Sequence, residues 1–274
     1  MSAGGPGRAA FIGGGVMAEA MVNRALSRGS LAAPSVCVAE PLQERRAHLR
    51  ETYGVAVTVD NAAAIEGAEL VVLAVKPQSF GEVAADLRGR LAPAQTVLSI
   101  MAGVPITAIA DGLSHAPVIR AMPNTPARIG AGFSVWSAAP AAGEHARARA
   151  AELLSALGEH LYTDDESMVD KATAVSGSGP AYLFRFVEAL VDSAQGLGFG
   201  AADAERLAVR TVLGAAQLAA QAPETPARLR EMVTSKGGTT EAALAVLEAR
   251  GFGGLMDDAV RAAHRRALEL GGKT

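Results

Sequence analysis

The sequence predicts an α/β fold, with a mostly parallel sheet followed by an all-helical segment. Short apolar, β-branched runs alternate with helix-compatible segments over the first 165 residues. These runs stop after about residue 165, and a segment rich in alanine and glycine follows at helical spacing. Half of the 274 residues are hydrophobic and 19% are charged, which is the composition of a folded globular protein.

Six apolar runs have the character of buried strands, at residues 9–13, 35–40, 55–60, 70–75, 96–100 and 117–122. Continuous apolar strands separated by helices are typical of a parallel sheet covered on both faces. Two further runs, at 132–137 and 160–165, flank a predicted helix at about 143–157 and are candidates to extend the sheet. We therefore expect one α/β domain over residues 1–165.

The helical segment, residues 166–274, is expected to form a second domain. Pro180 is well suited to the first turn of a helix, and apolar residues from Leu183 to Ala194 recur at helical spacing. Because small side chains let helices approach closely, we expect this domain to pack against a second subunit. An alanine-rich monomeric bundle would show the same pattern.

Charge and composition exclude several classes of protein. The net charge is −3 and no basic run occurs, which argues against nucleic acid and anionic membranes as partners. The start of the chain lacks the apolar core of a signal peptide, and no apolar run reaches membrane-spanning length, so we expect a soluble cytoplasmic protein. The single cysteine, Cys37, excludes an internal disulfide framework, and with five scattered histidines it argues against a structural zinc site.

The first predicted strand runs directly into a glycine-rich motif, G-x-G-x-x-A, formed by Gly13, Gly15 and Ala18. In a dinucleotide-binding turn the first glycine permits the bend and the second lets the backbone approach a pyrophosphate. The small third residue allows close packing of helix and strand. Because a strand precedes the motif and a helix-compatible run follows it, the sequence predicts a dinucleotide site.

The second strand ends at Glu40, where an acidic side chain would bind the adenosine ribose hydroxyls and repel a 2′-phosphate. This position favours NAD. Arg45 and Arg46 follow closely, and an arginine here can accommodate a 2′-phosphate, although a solvated helix face explains both residues more simply. The sequence therefore predicts NADH or NADPH as the cofactor, with Glu40 favouring NADH.

Three later strands end in residues typical of a ligand-binding sheet edge. Lys76-Pro77, the segment SIMAGV (99–104) and the segment RAMPNTP (120–126) each follow a predicted strand. In a doubly wound fold, ligands bind outside the carboxyl ends of the strands. This repetition supports a binding site at that edge.

A second glycine-rich segment, residues 234–240, precedes a helix predicted over 239–248. Gly237 and Gly238, with hydroxyls from Ser235, Thr239 and Thr240, could wrap an anion at the free N–H groups of that helix. Hydroxyl residues are also the usual helix N-caps, and Glu241 adds a negative charge to the same turn. With a dinucleotide site upstream, we favour binding of a substrate carboxylate.

Five ordered motifs between residue 11 and about residue 270 resemble the pyrroline-5-carboxylate reductase family, which makes proline by reducing a cyclic imine. They are FIGGGVMAEAM, LAVKPQ, RAMPNTP, AVSGSGPAY and MVTSKGGTTEAAL. The resemblance implies a Rossmann-like domain followed by a helical dimerisation domain that interleaves with its mate, with dimers that often form decamers. It implies a cyclic imine carboxylate as substrate and no metal.

The resemblance also implies roles for individual residues. Cofactor contacts would fall on Ile12, Gly13, Gly14, Gly15, Val16, Met17, Glu40, Asn61, Val75, Lys76 and Ala102. Substrate contacts would fall on Glu166, Ser235, Gly237, Gly238, Thr239 and Thr240. Members that prefer NADPH often carry serine or threonine where this chain has Glu40, and the family often has proline where it has Lys236.

The implied chemistry makes modest demands. A protonated imine is already electrophilic, so most of the acceleration should come from holding the ring against the nicotinamide. Thr240 is the candidate catalytic residue, as a hydroxyl that orients the ring nitrogen and relays a proton if the imine binds neutral. Glu166 could stabilise a cationic nitrogen, although a glutamate in the segment DDES is often simply a surface residue.

Two other functions remain open from the sequence. The chain could reduce a different cyclic imine, since one methylene is worth only about 1–3 kcal/mol of discrimination. It could also be a non-catalytic dinucleotide-sensing protein, although such a protein has no need of the 235–240 loop. A hydroxyacid dehydrogenase of similar architecture would have its catalytic lysine at the position of Leu183, and no lysine lies between Lys171 and Lys236.

Overall fold

A computed structural model describes residues 7–272, which divide into two compact units. The first unit contains the described residues up to Ser178 and those from Ala263 onward, and the second is Gly179–Ala262. The boundary predicted at residues 165 and 166 rests on the end of the strands, and as a statement of domain extent it stays a prediction.

The first unit is built on one eight-stranded sheet. Its strands are β1 (Ala9–Ile12), β2 (Val36–Ala39), β3 (Ala56–Thr58), β4 (Leu70–Leu73), β5 (Thr96–Ser99), β6 (Val118–Met122), β7 (Gly132–Ala138) and β8 (Gly158–Tyr162). Each lies within or overlaps an apolar run identified in the sequence. The two candidate extensions of the sheet are confirmed as β7 and β8.

The strand order is β3-β2-β1-β4-β5-β6-β7-β8. Every neighbouring pair is parallel except β6 and β7. The chain between β6 and β7 holds only a short 3₁₀ helix, Thr125–Ile129. A parallel connection needs about a dozen residues or more, usually with a helix, so this short link leaves β7 antiparallel.

Seven α-helices lie wholly within the described part of the first unit, to which the end of a further helix, residues 263–270, also belongs. They are α1 (Val16–Arg28), α2 (Gln43–Tyr53), α3 (Asn61–Ile65), α4 (Phe80–Leu87), α5 (Ile106–Leu113), α6 (Glu144–Leu157) and α7 (Ser167–Ala172). The predicted helix at 143–157 is confirmed as α6. A π-helical segment, Thr173–Gly177, follows α7 directly.

The core consists of two layers, one on each face of the sheet. Successive residues of β1 alternate between them, with Phe11 in one layer and Ile12 in the other. Met21 of α1 joins the layer of Phe11, whereas Ile109 of α5 joins that of Ile12. Each fully buried side chain of this size contributes about 1.5–3 kcal/mol, so both faces stabilise the fold. The predicted α/β class with a doubly covered, mostly parallel sheet is confirmed.

The second unit contains helices only. It comprises α8 (Gly179–Gly196), α9 (Ala201–Gln221), α10 (Pro226–Met232), α11 (Thr239–Ala249) and the first part of α12 (Phe252–Leu270). Pro180 lies in the first turn of α8, as its type predicts. None of the helices within residues 7–272 combines the length and the apolar character that a membrane span requires.

Candidate active site

The turn between β1 and α1 has the backbone geometry of an anion-binding turn. Gly13 has a φ of +96°, and a Cβ at this position would lie 2.9 Å from the Ala74 carbonyl oxygen. A side chain is therefore excluded for both conformational and steric reasons. The helix cap is Gly15 and α1 begins at Val16, which is 60% exposed. The N–H groups of the first helical turn have no carbonyl partner within the helix, so they are available to an anion.

Register places the glycine turn beside Glu40. Ile12 at the end of β1 pairs with both Ala39 and Leu73, so β1, β2 and β4 end at the same level. Glu40 follows β2 directly and is only 7% exposed. Its Oε2 accepts the Gly14 N–H at 2.8 Å, and its Oε1 accepts the Leu42 N–H at 2.9 Å. A carboxylate has about four lone-pair sites, so a ribose contact would use the remaining ones.

The two arginines after β2 bind the protein itself. Arg45 donates to the Gly14 carbonyl oxygen from Nη2 at 2.6 Å and from Nε at 3.1 Å. Arg46 Nη1 donates to the carbonyl oxygens of Glu40 and Pro41, both at 2.7 Å. The interpretation of both as a solvated helix face is therefore wrong, because the guanidinium groups find backbone carbonyls within reach.

Arg45 also belongs to a cluster around Glu19 in the first turn of α1. Glu19 accepts from Arg45 Nη2 at 2.7 Å, and its other oxygen contacts His48 Nε2 at 2.7 Å and the Tyr53 hydroxyl at 3.0 Å. Burial alone would raise the pKa of Glu19, but the hydrogen bonds to His48, Arg45 and Tyr53 outweigh it and lower the pKa to about 2. Burial and the bond to Glu19 raise the pKa of Tyr53. Glu19 is thus a carboxylate at neutral pH.

The other predicted cofactor residues lie after neighbouring strands of the same sheet edge. Asn61 begins α3 shortly after β3 and donates from Nδ2 to Asp86 at 2.9 Å. Val75 and the exposed Lys76 follow β4, and Ala102 lies in the link between β5 and α5. The carboxyl ends of β3, β2, β1, β4 and β5 are adjacent in the sheet, so the fold brings the predicted residues of this half to one edge.

Glu166 is not a simple surface residue. It is 26% exposed, and its Oε1 accepts the Ile106 N–H at 2.8 Å and Arg120 Nη1 at 3.0 Å. Arg120 is fully buried and pairs through Nη2 with Asp170. Its Nε has no hydrogen-bond partner among the described residues. The sequence interpretation missed Arg120 and Asp170, although an arginine inside the apolar run VIRAM was a signal of a buried pair.

Residues 176–179, within the motif AVSGSGPAY, lead from α7 into α8. Ser176 lies in the π-helical segment that follows α7. Asn124 Nδ2 donates to the Ser176 carbonyl oxygen at 3.1 Å, and Asn124 Oδ1 accepts the Phe133 N–H at 2.9 Å. A π-helical turn is wider than an α-helical one, and the Asn124 side chain links this turn to the start of β7. This segment is therefore held in place.

The loop before α11, in the second unit, supplies donors of two kinds. Gly238 is the helix cap, so no hydroxyl side chain forms the cap, and its N–H donates to the Ser235 carbonyl oxygen at 3.0 Å. Thr239 and Thr240 occupy the first turn of α11, where N–H groups lack intrahelical partners. We expected Gly237 to help wrap an anion, but its N–H donates to Glu241 Oε2 at 2.6 Å. Glu241 therefore completes the loop and takes one of the predicted donors.

No group of three or more metal-ligating side chains with the geometry of a metal site occurs within residues 7–272. The polar groups described above are hydrogen-bond donors and carboxylates. The first unit offers an anion-binding turn and a row of strand ends. The second unit offers a helix start with N–H groups and hydroxyls.

Comparison with known proteins matches both halves of the chain. The model for pyrroline-5-carboxylate reductase dimerisation matches residues 166–270, and the model described as NADP oxidoreductase coenzyme F420-dependent matches residues 8–103. The pyrroline-5-carboxylate reductase of Synechocystis is 44% identical over 96% of this chain and 98% of its own length.

Two solved structures share the architecture. A pyrroline-5-carboxylate reductase from Coxiella burnetii, 36% identical, superposes with a TM-score of 0.88 over 97% of this chain and 98% of its own. A pyrroline carboxylate reductase from Plasmodium falciparum with NADP bound has a TM-score of 0.89 over 97% of this chain and 99% of its own. It is 22% identical, so that likeness concerns the fold.

Proposed function

The chain belongs to the pyrroline-5-carboxylate reductase family, and we propose that it reduces the C=N bond of 1-pyrroline-5-carboxylate to give L-proline. The observation that carries this proposal is the full-length similarity to reductases of that name. The chain is an oxidoreductase that depends on NAD(P)H and acts on an imine.

The turn between β1 and α1 fits a nicotinamide dinucleotide. The fit rests on the bare backbone at Gly13, where a Cβ would collide with Ala74, and on the open first turn of α1. When bound, the dinucleotide supplies the hydride. The N–H groups of Val16 and Met17 would hold the pyrophosphate, since an anion is stabilised at a helix N-terminus. The proposed cofactor residues are Ile12, Gly13, Gly14, Gly15, Val16, Met17, Glu40, Asn61, Val75, Lys76 and Ala102.

The loop before α11 would hold the substrate carboxylate. Thr239 and Thr240 offer N–H groups in the first turn, and Ser235 and Thr240 add hydroxyls. Because Glu241 binds the Gly237 N–H, its charge is partly satisfied within the loop. Gly237 would therefore shape the loop rather than donate to the substrate, and Gly238 would bring the backbone close to it.

Thr240 would be the group closest to the chemistry in this loop. Its hydroxyl can both accept and donate, so it can orient the ring nitrogen and pass a proton to it. Glu166 would favour a cationic nitrogen through its second oxygen, Oε2, since Oε1 binds Ile106 and Arg120. Most of the rate acceleration would come from holding the imine in a reactive orientation.

NADH is the proposed preferred cofactor. Glu40 places a carboxylate at the end of β2, where it would accept from ribose hydroxyls and repel a 2′-phosphate. The two nearby arginines, Arg45 and Arg46, donate to backbone carbonyls. A 2′-phosphate would therefore be repelled by the Glu40 carboxylate, while the guanidinium groups of Arg45 and Arg46 are already engaged in hydrogen bonds.

The second unit would form a homodimer. Helices α8 and α9 carry exposed apolar side chains, among them Phe184, Phe186, Leu207 and Leu213. Large exposed apolar surfaces mark sites of association. The match to a dimerisation model covers these helices, so a homo-oligomer is expected, with a decamer as the proposed larger assembly. A cytoplasmic location remains a prediction.

The substrate is tested by comparing two imines. Initial rates are measured with 1-pyrroline-5-carboxylate and with its six-membered homologue, each with NADH. We expect faster turnover of the five-membered ring and formation of L-proline in equal amount to the oxidised cofactor. Faster turnover of the six-membered ring would reassign the substrate, and dinucleotide binding without turnover of either ring would favour a sensing protein.

A further inference from the structure

The peptide of Gly14 is held from both sides. Glu40 accepts its N–H at 2.8 Å, and Arg45 donates to its carbonyl oxygen at 2.6 Å and 3.1 Å. Glu40 comes from the end of β2 and Arg45 from α2, so two later parts of the chain fix one peptide of the turn. Hydrogen bonds in which one partner is charged are stronger than neutral ones.

Arg45 is itself held in one orientation. Its Nη2 also donates to Glu19 Oε2 at 2.7 Å, and Glu19 keeps contacts with His48 and Tyr53 through its other oxygen. A planar guanidinium bound at Nε and Nη2 has little freedom to rotate. Glu19 therefore restrains Arg45, and Arg45 restrains Gly14.

The backbone at Gly14 is closely packed against side chains of α2 and Glu40. A Cβ on this residue would lie 2.8 Å from Leu49 Cδ1 and 3.2 Å from Glu40 Cβ. Leu49 is fully buried. The close approach of α2 to the turn is what lets Arg45 reach the Gly14 carbonyl.

We propose that Arg45 is a positioning residue for the pyrophosphate-binding turn, acting through the Gly14 carbonyl while Glu40 acts through the Gly14 N–H. The inference rests on the proposed use of a nicotinamide dinucleotide. Gly14 immediately precedes the helix cap, Gly15, so fixing its peptide presets the backbone that leads into the first turn of α1. A preset turn binds more tightly because less ordering is required on binding.

A positioning role for Arg45 has different consequences from a role in binding a 2′-phosphate. The pyrophosphate is common to NADH and NADPH, so a residue that positions its turn affects both cofactors by the same factor. A 2′-phosphate ligand affects NADPH alone. The ratio of the two effects therefore separates the two interpretations.

The test compares the full-length wild-type chain with the Arg45→Met and Arg45→Lys variants. Dissociation constants for NADH and NADPH are measured by the change in nicotinamide fluorescence, and KM and kcat are measured with 1-pyrroline-5-carboxylate. Arg45→Met should weaken both dinucleotides by about tenfold, with kcat within about twofold of wild type. Arg45→Lys should recover only part of the loss, because an ammonium keeps the charge but not the planar pair of donors.

Arg50→Met is the matched control, since Arg50 is an exposed arginine on the same helix and its substitution changes the charge equally. Glu19→Gln is a second variant, which keeps Arg45 but weakens its restraint. It should weaken both dinucleotides in equal proportion and less than Arg45→Met does. If Arg45→Met does not fold, as judged by circular dichroism, the dissociation constants of Glu19→Gln for NADH and NADPH decide whether Arg45 positions the turn.

A selective loss of NADPH binding in Arg45→Met would overturn the inference, as would a loss no larger than in Arg50→Met. Full recovery by Arg45→Lys would also overturn it, because charge alone would then explain the effect. Failure of the wild-type chain to bind either dinucleotide would refute the proposed function, and the inference with it. Binding without turnover would refute the reductase activity but leave the role of Arg45 measurable.

Discussion

Arg120 and Glu166 lie 46 residues apart in the sequence and meet with Nη1 and Oε1 at 3.0 Å. The guanidinium is fully buried, and it also pairs with Asp170. The same Glu166 oxygen accepts the first N–H of α5, from Ile106. One buried cation from β6 thus fixes α7 and the start of α5, next to the strand ends that carry predicted cofactor residues.

Arg120→Met should lower the free energy of unfolding by about 3–5 kcal/mol, because it leaves the buried Asp170 and the partly buried Glu166 without their cation. The measurement is urea denaturation at a fixed protein concentration. Arg149→Met is the control, since Arg149 pairs with the partly exposed Glu152 and its loss should cost about 1 kcal/mol or less. Equal losses in the two variants would show that the buried network contributes no more than a surface pair.

Thr240→Val should reduce kcat by about a hundredfold while the dissociation constant for NADH stays within about twofold. The substitution keeps the side-chain shape but removes the hydroxyl proposed to orient the ring nitrogen. Thr234→Val is the control, because the Thr234 hydroxyl donates to the Arg230 carbonyl oxygen at 2.6 Å within the second unit. Unchanged kcat in Thr240→Val, or an equal loss of cofactor binding, would remove Thr240 from its assigned role.

Glu19 predicts a pH dependence of stability. Its pKa is about 2 in the folded chain against an ordinary value of 4.5. A lowered folded pKa means that its contribution is fully present above about pH 4.5 and is lost as the pH falls toward 2. The stability difference between wild type and Glu19→Gln should therefore shrink in that window, as followed by urea unfolding at several pH values. A difference that grew as the pH fell would contradict the assignment.

Glu40→Gln should shift cofactor selectivity toward NADPH by about tenfold in the ratio of kcat/KM values, which corresponds to about 1.4 kcal/mol. Glutamine keeps one acceptor oxygen for the Gly14 N–H, loses the second acceptor that Leu42 uses, and removes the charge that would repel a 2′-phosphate. Glu44→Gln, an exposed glutamate on α2, is the charge-matched control. Equal shifts in the two variants would mean that the net charge of the region, and not Glu40, sets the preference.

The regular elements of the sheet could be predicted from the sequence because their signals are local. Apolar runs located all eight strands, and the G-x-G-x-x-A spacing located the turn at Gly13. Pro180 correctly marked the start of α8. Burial on both sheet faces makes such runs continuous, and a single residue such as Gly13 carries its own conformational reason.

The hydrogen bonds that join these elements could not be predicted in the same way. Arg45 reaches Gly14 across 31 residues, and Arg120 reaches Glu166 across 46. In the sequence Arg45 looks like a surface charge and Arg120 like a strand residue. The partner of each is determined by how the helices pack on the sheet, which the sequence does not show locally. Even the short-range bond from Gly237 to Glu241 was missed, since either a free anion or this side chain can occupy a helix start.

The proposed reductase activity is tested by the initial rate with 1-pyrroline-5-carboxylate, using NADH and NADPH side by side at matched concentrations. The proposed function predicts turnover with a clear preference for NADH. It also predicts L-proline as the product. Turnover that favours NADPH would keep the reaction but contradict the role given to Glu40. Absence of turnover with either cofactor would contradict the proposed function itself.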